Sequence, residues 1–280
     1  MANHIIIQNA LLCEARPLID YYHLKKDFSY TKFDVFRNDR ITLIVSGIGR
    51  LKATIAATHI LDRRPENQDT VILNLGIAGS TRLDYGIGKA FLINKIIDTS
   101  TGRNYYPDLL YRHNLPEIQI ATFDKVVIGQ DAAGDYSGLV DMEAAGFAAA
   151  ALTFLGPHQI ALLKIISDHL KVDHLTADNV AELVRTELPT IDSLVATLQE
   201  LPLTPASQVN QLEQLIVDTI TQRLRLTAAQ QRILRNDLFG CHIRFGEIPT
   251  GWKAFTATPS QSKTDRNRRF AELRKFLSGK

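Results

Sequence analysis

The sequence predicts an α/β protein with a helical extension at its C-terminal end. Short apolar segments alternate with segments of helical apolar spacing through residues 4–200, which is typical of strands and helices that share one sheet. The 280 residues can bury a full core, as one large domain or as a domain with an appendage. Residues 1–203 hold 19 Lys and Arg against 24 Asp and Glu (−5), and residues 204–280 hold 13 against 6 (+7). This change of charge and the segment 201–205 (LPLTP) predict two domains, 1–203 and 204–280.

Composition is typical of a soluble protein from a reducing cytoplasm. The chain is 45% hydrophobic and 22% charged, and no apolar run approaches the roughly 20 residues that cross a bilayer. The N-terminal segment lacks a basic leader and a small-residue cleavage site, so we expect no signal peptide. Cys13 and Cys241 are the two cysteines; they argue against a disulfide framework, and neither lies in a metal-spaced cluster. We therefore expect neither a metal nor a cofactor.

The first strand and helix place a glutamate at the edge of the predicted sheet. Residues 4–12 are an apolar run that is typical of a buried strand. Helical spacing follows from Leu18, and Pro17 suits the first turn of that helix. Glu14 therefore lies beyond the carboxyl end of a strand, where open α/β sheets bind their ligands. A solvated glutamate in a first helical turn is the alternative interpretation.

A glycine-bearing turn follows the next strand. Residues 33–37 and 41–45 are predicted to pair as a hairpin, and residues 46–50 (SGIGR) lead into a helix at 51–61. Strand, glycine turn and helix is the geometry of a phosphate-binding loop, but SGIGR lacks the third glycine of a dinucleotide fingerprint. We favour a tight turn with close packing of strand against helix.

A second glycine-bearing turn is predicted at residues 76–80 (GIAGS), after the buried strand 71–75. It includes Ile77 and Gly79. Two such turns, each after an apolar strand, begin to form the floor of a ligand site. Further short strands are predicted at residues 89–97, 118–123 and 126–128.

The segment 140–147 (VDMEAAGF) opens an alanine-rich helix predicted over residues 141–155. Asp141 suits the N-cap, and the helix dipole favours acids in the first turn. Glu143, held near apolar residues, is placed to accept hydrogen bonds from the hydroxyls of a ligand. A capped, buried helix with incidental acids is the alternative.

The remaining segment of the first domain ends a strand on a second candidate acid. The strand 159–166 leads to Ser167 and Asp168, a position similar to that of Glu14. An amphipathic helix follows over residues 175–200 and is interrupted by Pro189.

The C-terminal extension is basic and mainly helical. Helices are predicted at residues 209–224, 227–239 and 263–277. Basic residues beside aromatic ones, such as Trp252 and Phe270, can bind nucleic acid. We favour the alternative that apolar residues, including Leu215, Leu234 and Leu238, pack on the first domain or on a second subunit.

Five segments together resemble a known family. In chain order they are ALLCEARPL (10–18), SGIGR (46–50), NLGIAGS (74–80), VDMEAAGF (140–147) and KIISD (164–168). This succession resembles the nucleoside phosphorylase superfamily, and within it the methylthioadenosine/S-adenosylhomocysteine nucleosidases, over residues 4–200. The resemblance implies a three-layer α/β/α fold with a mixed central sheet, a purine nucleoside or 5′-substituted nucleoside as substrate, and a homo-oligomer.

The resemblance also implies roles for individual residues. Asp168 would protonate the leaving base, and Ser167 would orient it. Glu14 would activate the attacking water, while Met142 and Glu143 would contact the ribose. These roles suit cleavage of an N-glycosidic bond, in which the ribose gains oxocarbenium character and the base leaves with negative charge.

Three positions depart from the family pattern. Ile77 stands where the nucleosidases have a serine, Phe123 is our candidate for the aromatic side chain that stacks on the base, and Lys164 stands where the branch usually has an arginine. These departures bear on which base and which 5′ group are accepted.

The nucleophile is water or phosphate. Arg16, Arg50 and Arg82 lie in or near the turns where a phosphorylase would gather phosphate, but none belongs to a full phosphorylase motif. We favour hydrolysis, because the carboxylate of Glu14 would repel a phosphate dianion. A non-catalytic nucleoside-binding or scaffold protein is the alternative from another class.

Overall fold

The protein consists of two compact units, Met1–Leu203 and Thr204–Lys280. The computed structural model describes residues 2–63, 69–171, 175–201, 203, 211–245 and 248–277. Within this part of the chain, no helix combines the length and the apolar character that a membrane crossing requires.

The first unit contains ten strands and five helices among the described residues. The strands are β1 (His4–Asn9), β2 (Lys25–Lys26), β3 (Asp34–Arg37), β4 (Ile41–Val45), β5 (Thr70–Ser80), β6 (Ala90–Asp98), β7 (Asn104–Tyr105), β8 (Glu117–Thr122), β9 (Leu139–Asp141) and β10 (Ile160–Asp168). The helices are α1 (Leu12–Tyr21), α2 (Arg50–Asp62), α3 (Ala144–Phe154), α4 (Ala177–Thr186) and α5 (Leu188–Glu200). The predicted hairpin, now β3 and β4, is confirmed, as is the interruption between α4 and α5 at Pro189.

These strands form one mixed sheet. β4, β1, β5 and β10 lie side by side and run parallel. β10 pairs antiparallel with β6, and the order continues through β8 and β9 back to β5, so that five strands close into a ring. β3 and β2 extend the opposite edge. The carboxyl ends of the four parallel strands therefore lie at one edge of the sheet, the position where α/β proteins place their ligand sites.

Helices cover both faces of the sheet. Ile72 in β5 packs into a core with α2 and α3, whereas the next residue, Leu73, packs into a core with α1, α4 and α5. This alternation follows from the two-residue period of a strand, and both side chains are fully buried. The predicted three-layer α/β/α class with a mixed sheet is confirmed.

The predicted turn at residues 76–80 is wrong, because these residues continue strand β5 without interruption. Ile77 and Ala78 pair in parallel with Ile165 and Ile166 of β10, and Gly79 pairs with Val140 of β9. Pairing with β10, and with β9 at its end, therefore holds the glycine-bearing segment in an extended strand conformation.

The first helix also begins earlier than predicted. β1 ends at Asn9 and α1 begins at Leu12, so that Pro17 lies inside the helix instead of opening it. The Glu14 carboxylate accepts hydrogen bonds from the backbone N–H groups of Ala10 and Leu11 (both 2.9 Å). Glu14 thus provides acceptors for two backbone N–H groups at the helix start. In the predicted arrangement, proline would have opened the helix and, having no N–H, would have needed no such acceptor.

Three smaller differences concern the other strands. Residues 126–128 are not a strand. β10 runs through Ser167 and Asp168 instead of ending before them, and Asp141 ends strand β9 instead of opening the helix. Its side chain nevertheless accepts a hydrogen bond from the N–H of Ala144 (2.9 Å), as the predicted cap requires.

The second unit has its own core. It contains α6 (Gln211–Leu224), α7 (Ala228–Phe245), a 3₁₀ helix (Thr250–Thr256) and α8 (Lys263–Leu277). Leu234 and Leu238 are buried among residues of the same unit, together with Trp252 and Phe270. Leu215, which was also expected to be buried, is 62% exposed. The apolar stripes therefore pack against one another within this unit.

Candidate active site

A cleft of about 210 Å³ lies at the carboxyl edge of the parallel strands. Its lining comes from the segments that follow β1, β4, β8 and β10, from β9 with the residues after it, and from the end of β5. The described lining residues are Ala10, Leu11, Glu14, Ile48, Ile77, Ala78, Gly79, Lys125, Val126, Val127, Val140, Asp141, Met142, Glu143, Ser167, Asp168, Leu170 and Leu175. The sheet thus gathers residues that are far apart in the sequence.

Glu14 is buried at the floor of this cleft. Besides its two bonds to the start of α1, it accepts a hydrogen bond from the N–H of Ile77 through Oε1 (2.9 Å). A Cβ atom on Gly76 would lie 2.6 Å from Oε1, so only glycine lets β5 approach the carboxylate this closely. Burial raises the pKa of Glu14, and the three backbone donors and the nearby charge of Lys164 oppose this rise.

Glu143 is bound to the glycine loop that precedes α2. Its Oε1 accepts a hydrogen bond from the N–H of Gly49 (2.6 Å), and Gly49 has φ +107°, a conformation that favours glycine. Burial and the neighbouring charge of Asp141 raise the pKa of Glu143 to about 7. The Gly49 N–H of the SGIGR turn therefore donates to the Glu143 carboxylate of the same chain.

A buried ion pair lies beneath Glu143. Lys164 Nζ is 3.0 Å from Asp141 Oδ2, and both side chains are almost completely buried. Asp141 Oδ1 also accepts a hydrogen bond from the hydroxyl of Thr122 (2.8 Å). Burial lowers the pKa of Lys164, but the charges of Asp141, Glu143 and Glu14 outweigh that effect and raise it. Lys164 therefore remains a cation and balances part of the negative charge of the site.

Ser167 and Asp168 lie together at another part of the cleft. The Ser167 hydroxyl is 2.6 Å from Asp168 Oδ2 and 3.2 Å from the carbonyl oxygen of Ala78, and the N–H of Lys171 donates to Asp168 Oδ1 (3.2 Å). One hydroxyl proton cannot serve both acceptors fully. When Ser167 donates to Ala78, its oxygen can accept a hydrogen bond from a protonated Asp168.

Strand β5 spaces the two catalytic candidates. A Cβ atom on Gly79 would lie 3.4 Å from Asp168 Oδ1, just as one on Gly76 would contact Glu14. The two glycines thus let both carboxyl groups approach the same strand.

The structure brings most of the predicted substrate-binding residues into this cleft. Ile77, Gly79, Met142, Glu143 and Ser167 all line it. Phe123 is not among the lining residues; it packs against Val127 and Leu170, whose aliphatic side chains line the cleft as an apolar wall. The stacking of Phe123 on the base stays a prediction.

None of the three candidate phosphate-binding arginines lines the cleft. Arg50 pairs with Asp98 and Asp124 (both 2.9 Å). Arg82 pairs with Asp84 and lies over the ring of Tyr85, and Arg16 is exposed. Within the described part of the chain, no group of His, Cys, Asp and Glu side chains is arranged to hold a metal ion.

Sequence reasoning missed the Asp141–Lys164 ion pair and the apolar wall. A signal for the first was present, because Lys164 is the single charge within the apolar strand segment IALLKII, and a buried lysine requires an acidic partner. No local signal marks Val127, Leu170 or Leu175, which come from irregular segments.

Comparison with solved structures gives clear matches in fold. The 5′-methylthioadenosine/S-adenosylhomocysteine nucleosidase of Helicobacter pylori superposes with a TM-score of 0.59 at 16% identity, over 70% of this chain and 98% of that one. The futalosine hydrolase of H. pylori gives 0.59 at 17% identity, with the same coverage. The S-adenosylhomocysteine nucleosidase of Streptococcus pyogenes gives 0.58 at 20% identity, over 72% and 98%.

No protein-family model matches the sequence, and no curated protein matches it. At these identities the structural matches establish the fold, which is the nucleoside phosphorylase fold that the five sequence segments predict.

Proposed function

From this fold and this cleft we propose that the protein is an N-glycosidase that hydrolyses purine nucleosides. The observation that supports this most strongly is that Glu14, Glu143 and Asp168 line one small cleft, although they lie on three different elements. The structurally similar proteins include nucleosidases and a hydrolase, and one nucleosidase of this fold, from Colwellia psychrerythraea, was crystallised with adenine. A purine nucleoside is therefore the substrate class that fits best.

Asp168 is the general acid in this proposal. A purine leaves more readily when N7 is protonated, because the electrons of the broken C1′–N9 bond then remain on a neutral base. Ser167 holds Asp168 Oδ2 at 2.6 Å and can stabilise its protonated form by accepting from it. Since the Lys171 N–H bonds the other oxygen, the carboxyl plane is fixed for the transfer.

Glu14 is the general base in this proposal. Water forms the new bond to C1′ and loses a proton to the Glu14 carboxylate as the base departs. Three backbone N–H groups fix this carboxylate, and burial raises its pKa. A raised pKa makes a glutamate a stronger base near neutral pH, which is where proton abstraction is most efficient.

Glu143 and Met142 bind the ribose. A carboxylate can accept hydrogen bonds from two adjacent hydroxyls, and its negative charge stabilises the cationic ribose of the transition state. Glu143 is anchored by the Gly49 N–H through Oε1 (2.6 Å). Its Oε2 accepts a longer hydrogen bond from the N–H of Met142 (3.4 Å) and has a further lone pair for a ribose hydroxyl.

Hydrolysis is supported over phosphorolysis by the positions of the arginines. Arg16, Arg50 and Arg82 lie outside the cleft lining, and the last two are paired with aspartates. The Gly49 N–H lies where a helix N-terminus could donate a hydrogen bond to phosphate, but it already donates to Glu143. The carboxylates of Glu14 and Glu143 would also repel a phosphate dianion.

A non-catalytic nucleoside-binding or scaffold protein is the second candidate. Retention of both Glu14 and Asp168 in the cleft argues against it, because binding alone requires neither an acid nor a water-activating base. Asp168→Asn should abolish base release and leave nucleoside affinity within about threefold of the wild type, because the amide keeps the shape and loses the proton. A wild-type protein that binds a nucleoside but never releases base would favour the scaffold function.

We also propose a homo-oligomer in the cytoplasm that acts without a cofactor. Ile48 lines the cleft yet is 50% exposed, and Leu51 and Ile55 on α2 are exposed beside it in sequence. Burial of this apolar surface by a second copy would also narrow the cleft.

The test of the proposed reaction is base release from inosine, adenosine and methylthioadenosine, with and without phosphate. We expect at least one of them to be cleaved at the same rate in both conditions. A strict requirement for phosphate would show that the enzyme is a phosphorylase.

A further inference from the structure

A second cavity of about 750 Å³ adjoins the cleft of the candidate active site. The two share Ser167, Asp168 and Leu175 in their linings, whereas Glu143 and Met142 line only the cleft. We name this second cavity the side chamber. It therefore adjoins the cleft at the general acid, away from the residues assigned to the ribose.

The wall of the side chamber is largely apolar. Leu83 and Ile87, from the segment between β5 and β6, contribute to it from one side, and Leu183 of α4 from another. Leu83 is 71% exposed and Ile87 is 58% exposed. Polar side chains also contribute to the lining, among them Asn179, Glu182 and Thr186 of α4. Exposed apolar side chains that border a cavity of this kind mark a place where an apolar group can bind.

The chemistry of a purine connects the side chamber to the base. On adenine, N7 and the amino group at C6 lie on the same edge of the ring system. An acid that protonates N7 therefore also faces the C6 substituent. When Asp168 engages N7, a group on the C6 nitrogen that is oriented to the N7 side extends past Asp168, toward the side chamber that shares this residue.

Size supports the same conclusion. Pockets for small organic ligands usually measure about 300–1,000 Å³, and the cleft alone measures about 210 Å³. An unsubstituted nucleoside uses the cleft and leaves the side chamber of about 750 Å³ to solvent. A nucleoside with a larger base would cover the apolar wall of the side chamber. Removal of this apolar surface from water would strengthen binding.

We propose that the substrate is a purine nucleoside with a bulky apolar substituent on the nitrogen at C6, and that the side chamber binds this substituent. The proposal rests on the proposed nucleosidase function and adds the identity of the base. The bond that breaks is the same C1′–N9 bond, and the product is the N6-substituted adenine.

The test compares the kcat/KM values of the full-length protein for adenosine, methylthioadenosine and the N6-benzyl derivative of each. We expect each benzyl derivative to be cleaved with a kcat/KM at least equal to that of its parent. Leu83→Trp, which enlarges a side chain that lines the side chamber, should lower the kcat/KM ratio of benzyl derivative to parent by about tenfold, a typical effect of altered pocket size. Leu110→Trp is the matched control, because Leu110 is 73% exposed and lies outside the side chamber; its ratio should not change.

The outcomes separate the two proposals. If no parent nucleoside is cleaved and no benzyl derivative is cleaved, the nucleosidase function fails and this inference fails with it. If the parents are cleaved and the benzyl derivatives are excluded, only the side-chamber proposal is wrong. The side-chamber proposal is also wrong if Leu83→Trp leaves the kcat/KM ratio of benzyl derivative to parent unchanged. It is wrong, too, if this variant instead changes the kcat/KM ratio of methylthioadenosine to adenosine, because the chamber would then bind the 5′ group.

Discussion

Glu143 shows how the surroundings of one residue set its chemistry. Asp141, Glu143 and Glu14 are buried acids, and Lys164 is the buried cation that interacts with all three. One positive charge cannot neutralise three carboxylates in a medium of low dielectric constant. Burial of the carboxyl group, and next the charge of Asp141, therefore raise the pKa of Glu143 from 4.5 to about 7. The charged form, which the proposed ribose contact requires, lowers the stability of the protein.

Glu143→Gln should therefore stabilise the protein at alkaline pH. A carboxyl with a raised pKa in the folded state contributes stability below pH 4.5, and this contribution is lost as the pH rises through about 7. Glutamine does not undergo this loss. At pH 8 we expect the free energy of unfolding of the variant to exceed that of the wild type by about 3 kcal/mol, with little difference near pH 4.

Urea denaturation at the two pH values measures this effect. Glu200→Gln, at an exposed glutamate near the end of α5, is the matched control and should show no pH-dependent gain. A variant at Glu143 that is equally destabilised at both pH values would indicate that the carboxylate has a structural function.

The residues of the site were predictable to different degrees. Glu14, Glu143, Ser167 and Asp168 were found because each lies at the end of a strand or at the start of a helix, and the sheet brings those positions to one edge. Their roles remain proposals. The position of Phe123 was not predictable, because the direction of a side chain after a strand depends on packing in the irregular segment that follows.

At the scale of elements, the crossing of α2 and α3 positions Glu143. Gly146 on α3 lies against α2, where a Cβ atom would clash with the backbone carbonyl oxygen of Arg50. The Thr54 hydroxyl, 2.9 Å from that carbonyl oxygen and 3.0 Å from that of Gly146, lies between the helices. Glu143 immediately precedes α3 and bonds Gly49 immediately before α2. The close crossing therefore holds the Glu143 carboxylate, which we propose binds ribose, in place.

Gly146→Ala should push these helices apart. We expect a loss of about 1–3 kcal/mol in the free energy of unfolding, because the overpacking penalty exceeds the gain in helix propensity. The KM for the nucleoside should rise as Glu143 moves. Gly86→Ala is the control, since no atom lies within 4 Å of the added methyl group. If both variants were equally stable, the helix crossing would not be as tight as described.

Element order was predictable from apolar periodicity, and boundaries at glycines were not. The GIAGS segment has the composition of a turn, but β9 and β10 pair with it and make it a strand. Pairing partners that are about 60 or more residues away leave no local signal in the sequence. The early start of α1 has a local origin, because Glu14 satisfies backbone donors of residues three and four positions before it.

At the scale of the whole molecule, the two units have separate cores. Leu201 and Leu203 are buried in the first unit, and the side-chain amide of Asn3 donates to the carbonyl oxygens of Leu198 and Leu201 (2.9 and 2.6 Å). The second unit buries Trp252 and Phe270 in its own core. Buried aromatics are not available to stack on bases, which weakens the nucleic-acid interpretation of this basic unit.

A chain that ends at Leu203 should fold and release base. We expect a cooperative thermal transition and a kcat/KM within about threefold of the full-length protein, since all cleft-lining residues lie in the first unit. A chain that ends at Pro189 would lose most of α5 and is the control for misfolding. If the chain ending at Leu203 were folded but inactive, the second unit would be required for catalysis.

The central claim is that this cleft uses water to break the bond between a purine and its ribose. The most direct measurement is the mass of the sugar released from adenosine or methylthioadenosine in phosphate-free buffer made with ¹⁸O-labelled water. If the claim is correct, free purine appears together with a sugar that carries one ¹⁸O at C1′, and Asp168→Asn abolishes both products. A sugar 1-phosphate that forms only when phosphate is added, or no release of base from any nucleoside, would contradict it.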